Sequence, residues 1–419
     1  MGLPRLIERG REKDGAWRRR RGGILGSLVL WLLAGSLGSE ALAATPDRAA
    51  FWDRQRRGAN CQNRRVGPEY WKAAAETGLE FVRLLPDAWP TRNRDFLMGS
   101  ADGFTALEER DLAVLMRSLD EAEAAGVKVV LAPISLPGAR WKQLNGDVDD
   151  ARLWRDAAFP AQAEAFWRQL AGRLRGHPAI VAYNPLNEPH PERAFGFEEP
   201  GQEGFAEWRA KAKGTPADLD AFNRRMVGAI RSADPDTPIL LDGGFYASPT
   251  GLSLLEPIEA KGILYAFHFY DPWEYSTFRV NQGRWSYPER MPGPGGKAVR
   301  GGEDAMRDRV APVVRWARAH DIPTSRIVAA EFGVDRRVGG AQAYLGDLVR
   351  VLNEHGWHWA FYSFRSDGDW TGLDYELGTE KVDPRIWDAG QRGEDPEKYK
   401  RRHDNPLWQV LKRELAGRR

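Results

Sequence analysis

The chain has 419 residues, 42% hydrophobic and 29% charged, with 61 basic and 59 acidic side chains, a single cysteine and 17 tryptophans. This describes a folded globular protein with a large core. It excludes an intrachain disulfide framework and offers no basic excess for a nucleic acid or an anionic surface.

The first element is a targeting segment. Arg18 to Arg21 form a basic region, Ile24 to Leu37 an apolar run of 14 residues, and Ala41-Leu42-Ala43 fits a signal-peptidase site. The run is shorter than the roughly 20 residues of a membrane span. The expectation is therefore a signal peptide over residues 1–43, by the general or the twin-arginine route, and a secreted or periplasmic protein; an uncleaved anchor is the alternative. Eight basic and four acidic residues fall in that segment, so the remainder changes from a formal +2 to −2.

Residues 44–419 read as one domain in which strand and helix alternate. Short apolar runs predict strands over 57–60, 81–85, 127–133, 180–184, 239–243, 264–269, 327–331 and 359–364. Between them, apolar spacing predicts helices near 68–77, 107–125, 158–175, 215–233, 303–319 and 341–355, with a short one inside 251–261. Eight strands alternating with helices predict an α/β fold, a (β/α)8 barrel whose chemistry lies at the C-terminal strand ends. An open doubly wound sheet is the competing fold, but no glycine-rich phosphate turn follows the first strand. Three connections, 189–214, 271–302 and 365–405, are too long for plain turns and follow strands, which puts them on the active-site face.

Two of these runs stop at a carboxylate. Glu188 ends Ile180-Val181-Ala182-Tyr183-Asn184-Pro185-Leu186-Asn187-Glu188, and Glu331 ends Ile327-Val328-Ala329-Ala330-Glu331. A buried charge is costly, so each should face a cleft, and two carboxyl groups across one cleft suffice to cleave a glycosidic bond. Asn187 can donate its amide to a sugar hydroxyl. Arg83, the one charge in Phe81-Val82-Arg83-Leu84, demands a buried acidic partner. His268 and Tyr270 fall on one face of the sixth strand and Phe269 on the other. Tyr270 and Arg83 are the donors available to keep Glu331 ionised.

In this order, Gly58-Ala59-Asn60, Val82-Arg83-Leu84, Leu186-Asn187-Glu188-Pro189, His268-Phe269-Tyr270-Asp271-Pro272, Ala330-Glu331-Phe332-Gly333 and Trp359-Ala360-Phe361-Tyr362-Ser363-Phe364 resemble glycoside hydrolase family 5. This is the cellulase-type branch of the retaining (β/α)8 glycosidases, and the resemblance covers residues 55–380. It implies Glu188 as acid/base, Glu331 as nucleophile, and Arg83, Asn187, His268 and Tyr270 as supporting residues, with a carboxyl spacing of about 5–5.5 Å. Two positions depart from the family. The stretch Leu131-Ala132-Pro133-Ile134-Ser135 lacks its histidine, and Tyr362 stands where it carries a tryptophan platform.

Five tryptophans, Trp89, Trp141, Trp273, Trp285 and Trp370, follow strand ends, where flat apolar faces suit sugar rings. Of these, Trp273 and Trp370 are the first candidates for substrate contact, alongside Tyr362. The sequence reading is thus an exported, monomeric glycosidase acting on a β-linked polysaccharide or oligosaccharide by double displacement, with no cofactor or metal. An exo-glycosidase, a transglycosidase or a non-catalytic sugar-binding protein are the alternatives. No His-x-His or His-Glu-x-x-His supports a metal-dependent hydrolase.

Overall fold

The computed structural model describes residues 48–416, except for the side chains of residues 368–370 and 390. The targeting segment expected over residues 1–43 lies outside the described residues. Among those described, no helix is long and apolar enough to cross a membrane.

The eight expected strands form a closed parallel barrel. They are β1 (Arg57–Cys61), β2 (Phe81–Leu84), β3 (Lys128–Leu131), β4 (Ile180–Tyr183), β5 (Ile239–Asp242), β6 (Ile263–Phe269), β9 (Ile327–Phe332) and β10 (His358–Phe361). Closure is made by β1 pairing with β10, with Gly58 beside Ala360. The remaining two strands, β7 (Met291–Pro292) and β8 (Ala298–Val299), are a small antiparallel hairpin in the loop after β6.

Alternation of side chains sorts each strand between two cores. Outward residues such as Val82, Val129, Leu241, Phe267 and Phe332 join the helices in the large outer core. Inward residues Phe81, Val130, Ala182, Leu240, Ala266, Val328 and Ala360 fill the barrel. Trp52, just before β1, plugs its N-terminal end, with the indole N–H donating to the Val181 carbonyl at 3.0 Å.

The helices Pro68–Thr77, Glu109–Ala124, Ala158–Leu174, Leu219–Ala233, Glu303–Ala319 and Ala341–Glu354 surround the barrel as expected. The structure departs from the expected helices in several places, one being the helix Phe205–Ala212 inside the 189–214 connection. After β5 the chain makes two single turns, Gly244–Ala247 and Pro249–Leu252, earlier than the helix expected inside 251–261. A further helix, Pro406–Ala416, completes the ring. Asn405 caps it by accepting the amides of Leu407 and Trp408, and Leu407, Trp408, Leu411 and Leu415 are buried.

Five connections decorate the active-site face, two more than the sequence reading counted. Besides the three expected, the segments after β2 and β3 are long and tied together by ion pairs. Arg140 donates to Asp95 at 2.7 and 2.8 Å and also contacts Asp102, to which Arg152 adds a second guanidinium.

Candidate active site

Two residues beyond the apolar filling, the same inward alternation turns polar. On β2, Phe81 is followed two positions later by Arg83; Ala182 is followed by Asn184, Leu240 by Asp242 and Ala266 by His268, while β1 contributes Asn60. All five are buried. These five strands spend their apolar residues low in the barrel and turn polar near the mouth.

Glu331 reaches this layer by an irregularity. The β6–β9 register shifts after Phe267, so that Ala329 pairs with Phe267 but Glu331 pairs with His268. Ala330 faces inward and Phe332 outward. By strict alternation from Ala330, Glu331 would turn to the helices; the extra residue keeps it at the barrel mouth.

Arg83 is the hub. Its guanidinium donates to Glu331 Oε1 at 2.6 Å, to Asn60 Oδ1 at 3.1 Å, to Asn184 Oδ1 at 2.7 and 3.0 Å, and to Asn187 Oδ1 at 2.7 Å. The acidic partner that the sequence demanded for Arg83 is therefore Glu331. Arg83 engages the oxygen of the Asn187 amide, which leaves the NH2 end as the donor it does not use. The second Glu331 oxygen accepts the Tyr270 hydroxyl at 2.8 Å.

Glu188 receives a different set. Its Oε1 lies 2.8 Å from His268 Nδ1, and neither arginine nor tyrosine donates to its carboxyl group among the described residues. Its backbone is left-handed, with φ +49. The amide donates to Asp242 Oδ2 at 3.0 Å, and the carbonyl lies 2.6 Å from His190 Nδ1. Burial, followed by the Asp242 carboxylate, pushes Glu188 up to about 8 against a downward pull from Arg83.

Burial also raises Glu331, although His268, Arg83 and the Tyr270 hydrogen bond pull it down while Glu188 pushes it up. The donors expected to hold Glu331 ionised are in place, but burial outweighs them. The pair is nonetheless asymmetric: charge-assisted donors converge on Glu331 and not on Glu188, which makes Glu331 the easier of the two to ionise. Burial lowers His268, which is neutral beside them.

One oxygen from each glutamate and one His268 nitrogen lie within 4.8 Å of one another. The same three donors would suit a cation, but the Arg83 guanidinium at 2.6 Å from Glu331 already supplies the compensating positive charge. What the arrangement can do chemically is hold one protonated and one ionised carboxyl group on either side of a single reacting atom.

Tyr362 is buried at the end of β10, and its hydroxyl donates to Gln62 Oε1 at 2.6 Å. Where the family's strand-three histidine is missing, Leu85, Ala132 and Ile134 form a small apolar cluster with Trp141 packed on it. Asp87 anchors that segment by accepting the amides of Ile134 and Ser135 at 2.8 Å each.

The tryptophan rim divides. Trp141 lines the cavity beside Glu188, together with His190 and Tyr246. Trp273 is 54% exposed, its ring 6.4 Å from that of Tyr270. Trp89 is buried against Phe96, and Trp285 packs on the core with Arg290 over its ring, so both anchor loops. The Trp370 side chain lies outside the described residues.

Sequence reasoning missed Asn184, Asp242, His190 and Tyr246 as parts of the site. Asp242 was open to the rule applied to the glutamates, since it too closes an apolar run, Ile239-Leu240-Leu241. Tyr246 was not. It sits in three consecutive left-handed residues, Phe245, Tyr246 and Ala247, a conformation unfavourable for residues other than glycine. Buried Glu192 holds this turn by accepting the Phe245 amide.

A sequence profile of cellulase (glycosyl hydrolase family 5) matches residues 57–368. Endoglucanase C of Acetivibrio thermocellus is 28% identical over 215 residues, 51% of this chain and 51% of that protein. Beta-xylosidase of Phanerodontia chrysosporium is 28% identical over 136 residues, 32% of this chain and 24% of that protein. The chain thus spans about half, or less, of the length of these curated relatives. Among solved structures, Pseudomonas stutzeri endoglucanase Cel5A superposes with a TM-score of 0.57 at 17% identity, covering 86% of this chain and 94% of that one. A second glycoside hydrolase reaches 0.60 at 18% identity, covering 86% and 99%. At such identities the likeness is one of fold. The profile, by contrast, runs from the first barrel strand to beyond the last, across every strand end that builds the site: the chain belongs to glycosyl hydrolase family 5.

Proposed function

We propose that the protein is an exported endo-β-glucanase-like hydrolase that cleaves β-linked polysaccharide with retention, using Glu331 as nucleophile and Glu188 as acid/base. The observation that carries this reading is the pair of carboxyl groups, Glu331 buried and Glu188 16% exposed, with one oxygen of each within 4.8 Å of the other, the first held by Arg83 and Tyr270 and the second by neutral His268. Retaining pairs are close, whereas inverting pairs stand about 6.5–9.5 Å apart to admit a water.

Glu331 attacks the anomeric carbon as the bond to the leaving oxygen breaks, and the Glu188 proton passes to that oxygen. The sugar is then an ester of Glu331. Glu188, now ionised, takes a proton from water, whose oxygen attacks the anomeric carbon. The ester bond breaks, Glu331 returns as carboxylate, and Glu188 is again protonated. The close Arg83 and Tyr270 donors favour Glu331 as the ionised attacker, and the raised Glu188 suits a proton donor near neutral pH. Export is supported by the basic-apolar-small pattern of residues 18–43.

The relatives are named for endoglucanase and beta-xylosidase activity, so the test spans sugars. Reducing-sugar release is measured on carboxymethylcellulose, mixed-linkage β-glucan, mannan and xylan, beside Glu188→Gln and Glu331→Gln. Release from a β-glucan that both variants lose supports the reading. Release that persists in Glu331→Gln overturns the assignment of the nucleophile.

A further inference from the structure

Asp242 closes β5 beneath the two glutamates, and its side chain is fully shielded from solvent. Its Oδ1 accepts Asn184 Nδ2 at 3.0 Å. Its Oδ2 accepts the Glu188 amide at 3.0 Å and lies 3.4 Å from the Arg83 guanidinium and 3.6 Å from His268 Nε2.

Two features of the site trace to Asp242. The first is the left-handed backbone of Glu188, which costs a non-glycine residue about 1–2 kcal/mol. The hydrogen bond that the Glu188 N–H donates to Asp242 holds it from one side, with His190 Nδ1 at the carbonyl on the other. The second is the protonation pattern of His268. Its Nε2 is buried and, among the described residues, has no hydrogen-bond partner; the Asp242 carboxylate lies 3.6 Å from it. A proton on Nε2 is attracted to that carboxylate, whereas a lone pair there would be repelled. With the proton on Nε2, Nδ1 presents its lone pair to Glu188 Oε1 at 2.8 Å, and this contact is a hydrogen bond only when Glu188 carries a proton.

We propose that Asp242 is a positioning residue for the acid: through the Glu188 amide and the Nε2–H tautomer of His268, it keeps the proton on Glu188 between turnovers. This rests on the reading of Glu188 as acid/base given above. The other groups facing Glu188 are consistent with it. Arg83 from β2 is the nearby cation, and it is turned to Glu331. Glu331 from β9 adds a like charge, while Tyr270 after β6, Tyr362 from β10, and His190 and Tyr246 on the outer side are neutral near pH 7. After burial itself, the Asp242 charge is the larger upward influence on Glu188.

The test uses the full chain and two magnetic-resonance readouts that need no substrate. In the wild type at pH 6, 15N two-bond correlations of His268 are expected to give the Nε2–H tautomer; the Nδ1–H tautomer overturns the proposal. Carboxyl 13C titration, with the Glu188 signal identified by its loss in Glu188→Gln, is then compared in wild type and Asp242→Asn. The Glu188 midpoint is expected to fall by about one pH unit or more, and an unchanged midpoint overturns the proposal. Where Asp242→Asn does not fold, Asp242→Ser, which leaves room for a water at the Glu188 amide, answers the same question. In turnover, the alkaline limb of kcat/KM should move to lower pH by the same amount. A chain that cleaves no β-glycan but gives both resonance results refutes the hydrolase reading and leaves the proton placement standing.

Discussion

Replacing Glu188 by glutamine should stabilise this protein, and increasingly so as pH rises. In the folded chain Glu188 is pushed from an ordinary 4.5 up to about 8, mainly by burial and then by Asp242. In the unfolded chain it ionises near its ordinary value. Between those two pH values the folded state therefore holds a proton that the unfolded state has lost, and stability falls as pH rises through the window. Each pKa unit is worth about 1.4 kcal/mol, which sets a ceiling of about 5 kcal/mol once the pH passes 8. The side chain keeps 16% of its surface in solvent, which screens part of this, so a gain of about 2–5 kcal/mol is expected. Glutamine is isosteric and can donate to His268 Nδ1 as the protonated acid does. Urea unfolding of wild type and Glu188→Gln at pH 5, 6.5 and 8.5 measures the effect. The two should nearly coincide at pH 5 and diverge above it. A constant gap across that range, or a wild type more stable at pH 8.5, refutes the reasoning.

Arg83→Met should destabilise the fold by about 3–5 kcal/mol in the same assay, because it leaves buried Glu331 and Asp242 without their shared cation. Tyr270→Phe removes one charge-assisted donor from Glu331 and should lower kcat about 10- to 100-fold. Because that bond pulls Glu331 down, its loss should also move the acidic limb of the pH–rate profile to higher pH. Trp273→Ala, at an exposed ring beside Tyr270, should raise KM for a polymeric substrate several-fold with kcat little changed; a fall in kcat alone would place Trp273 outside binding.

The barrel was legible because both faces of its strands are buried, so each reads as an apolar run that stops abruptly. Ile327-Val328-Ala329-Ala330 ending at Glu331 and Ile180 to Tyr183 leading to Glu188 carry that signal plainly. Arg83 was legible for the converse reason, a charge inside an apolar strand. What escaped depends on backbone geometry that residue types do not announce. The extra residue in β9 that turns Glu331 inward leaves no mark in its sequence. Neither does the left-handed turn that brings Tyr246 beside Glu188, because its stabilising partner, Glu192, lies far away in the chain. Asp242 and the helix Pro406–Ala416 are different. A carboxylate at a strand end and an Asn-Pro helix start before Leu407, Trp408, Leu411 and Leu415 were open to the rules already in use. The rim shows how little a tryptophan's place after a strand decides, since Trp89 is a buried loop anchor whereas Trp273 is exposed.

The most direct test of the central claim is to trap the covalent intermediate. The chain is incubated with a 2-deoxy-2-fluoro-β-cellobioside carrying a dinitrophenyl leaving group, then digested and sequenced by mass spectrometry. The fluorine slows both steps, and the activated leaving group lets the first proceed without an acid, so the ester accumulates. The fluorosugar is expected on Glu331, with labelling intact in Glu188→Gln and absent in Glu331→Gln. A sugar found on Glu188, or an active enzyme whose first product is the α-anomer with no residue labelled, contradicts it.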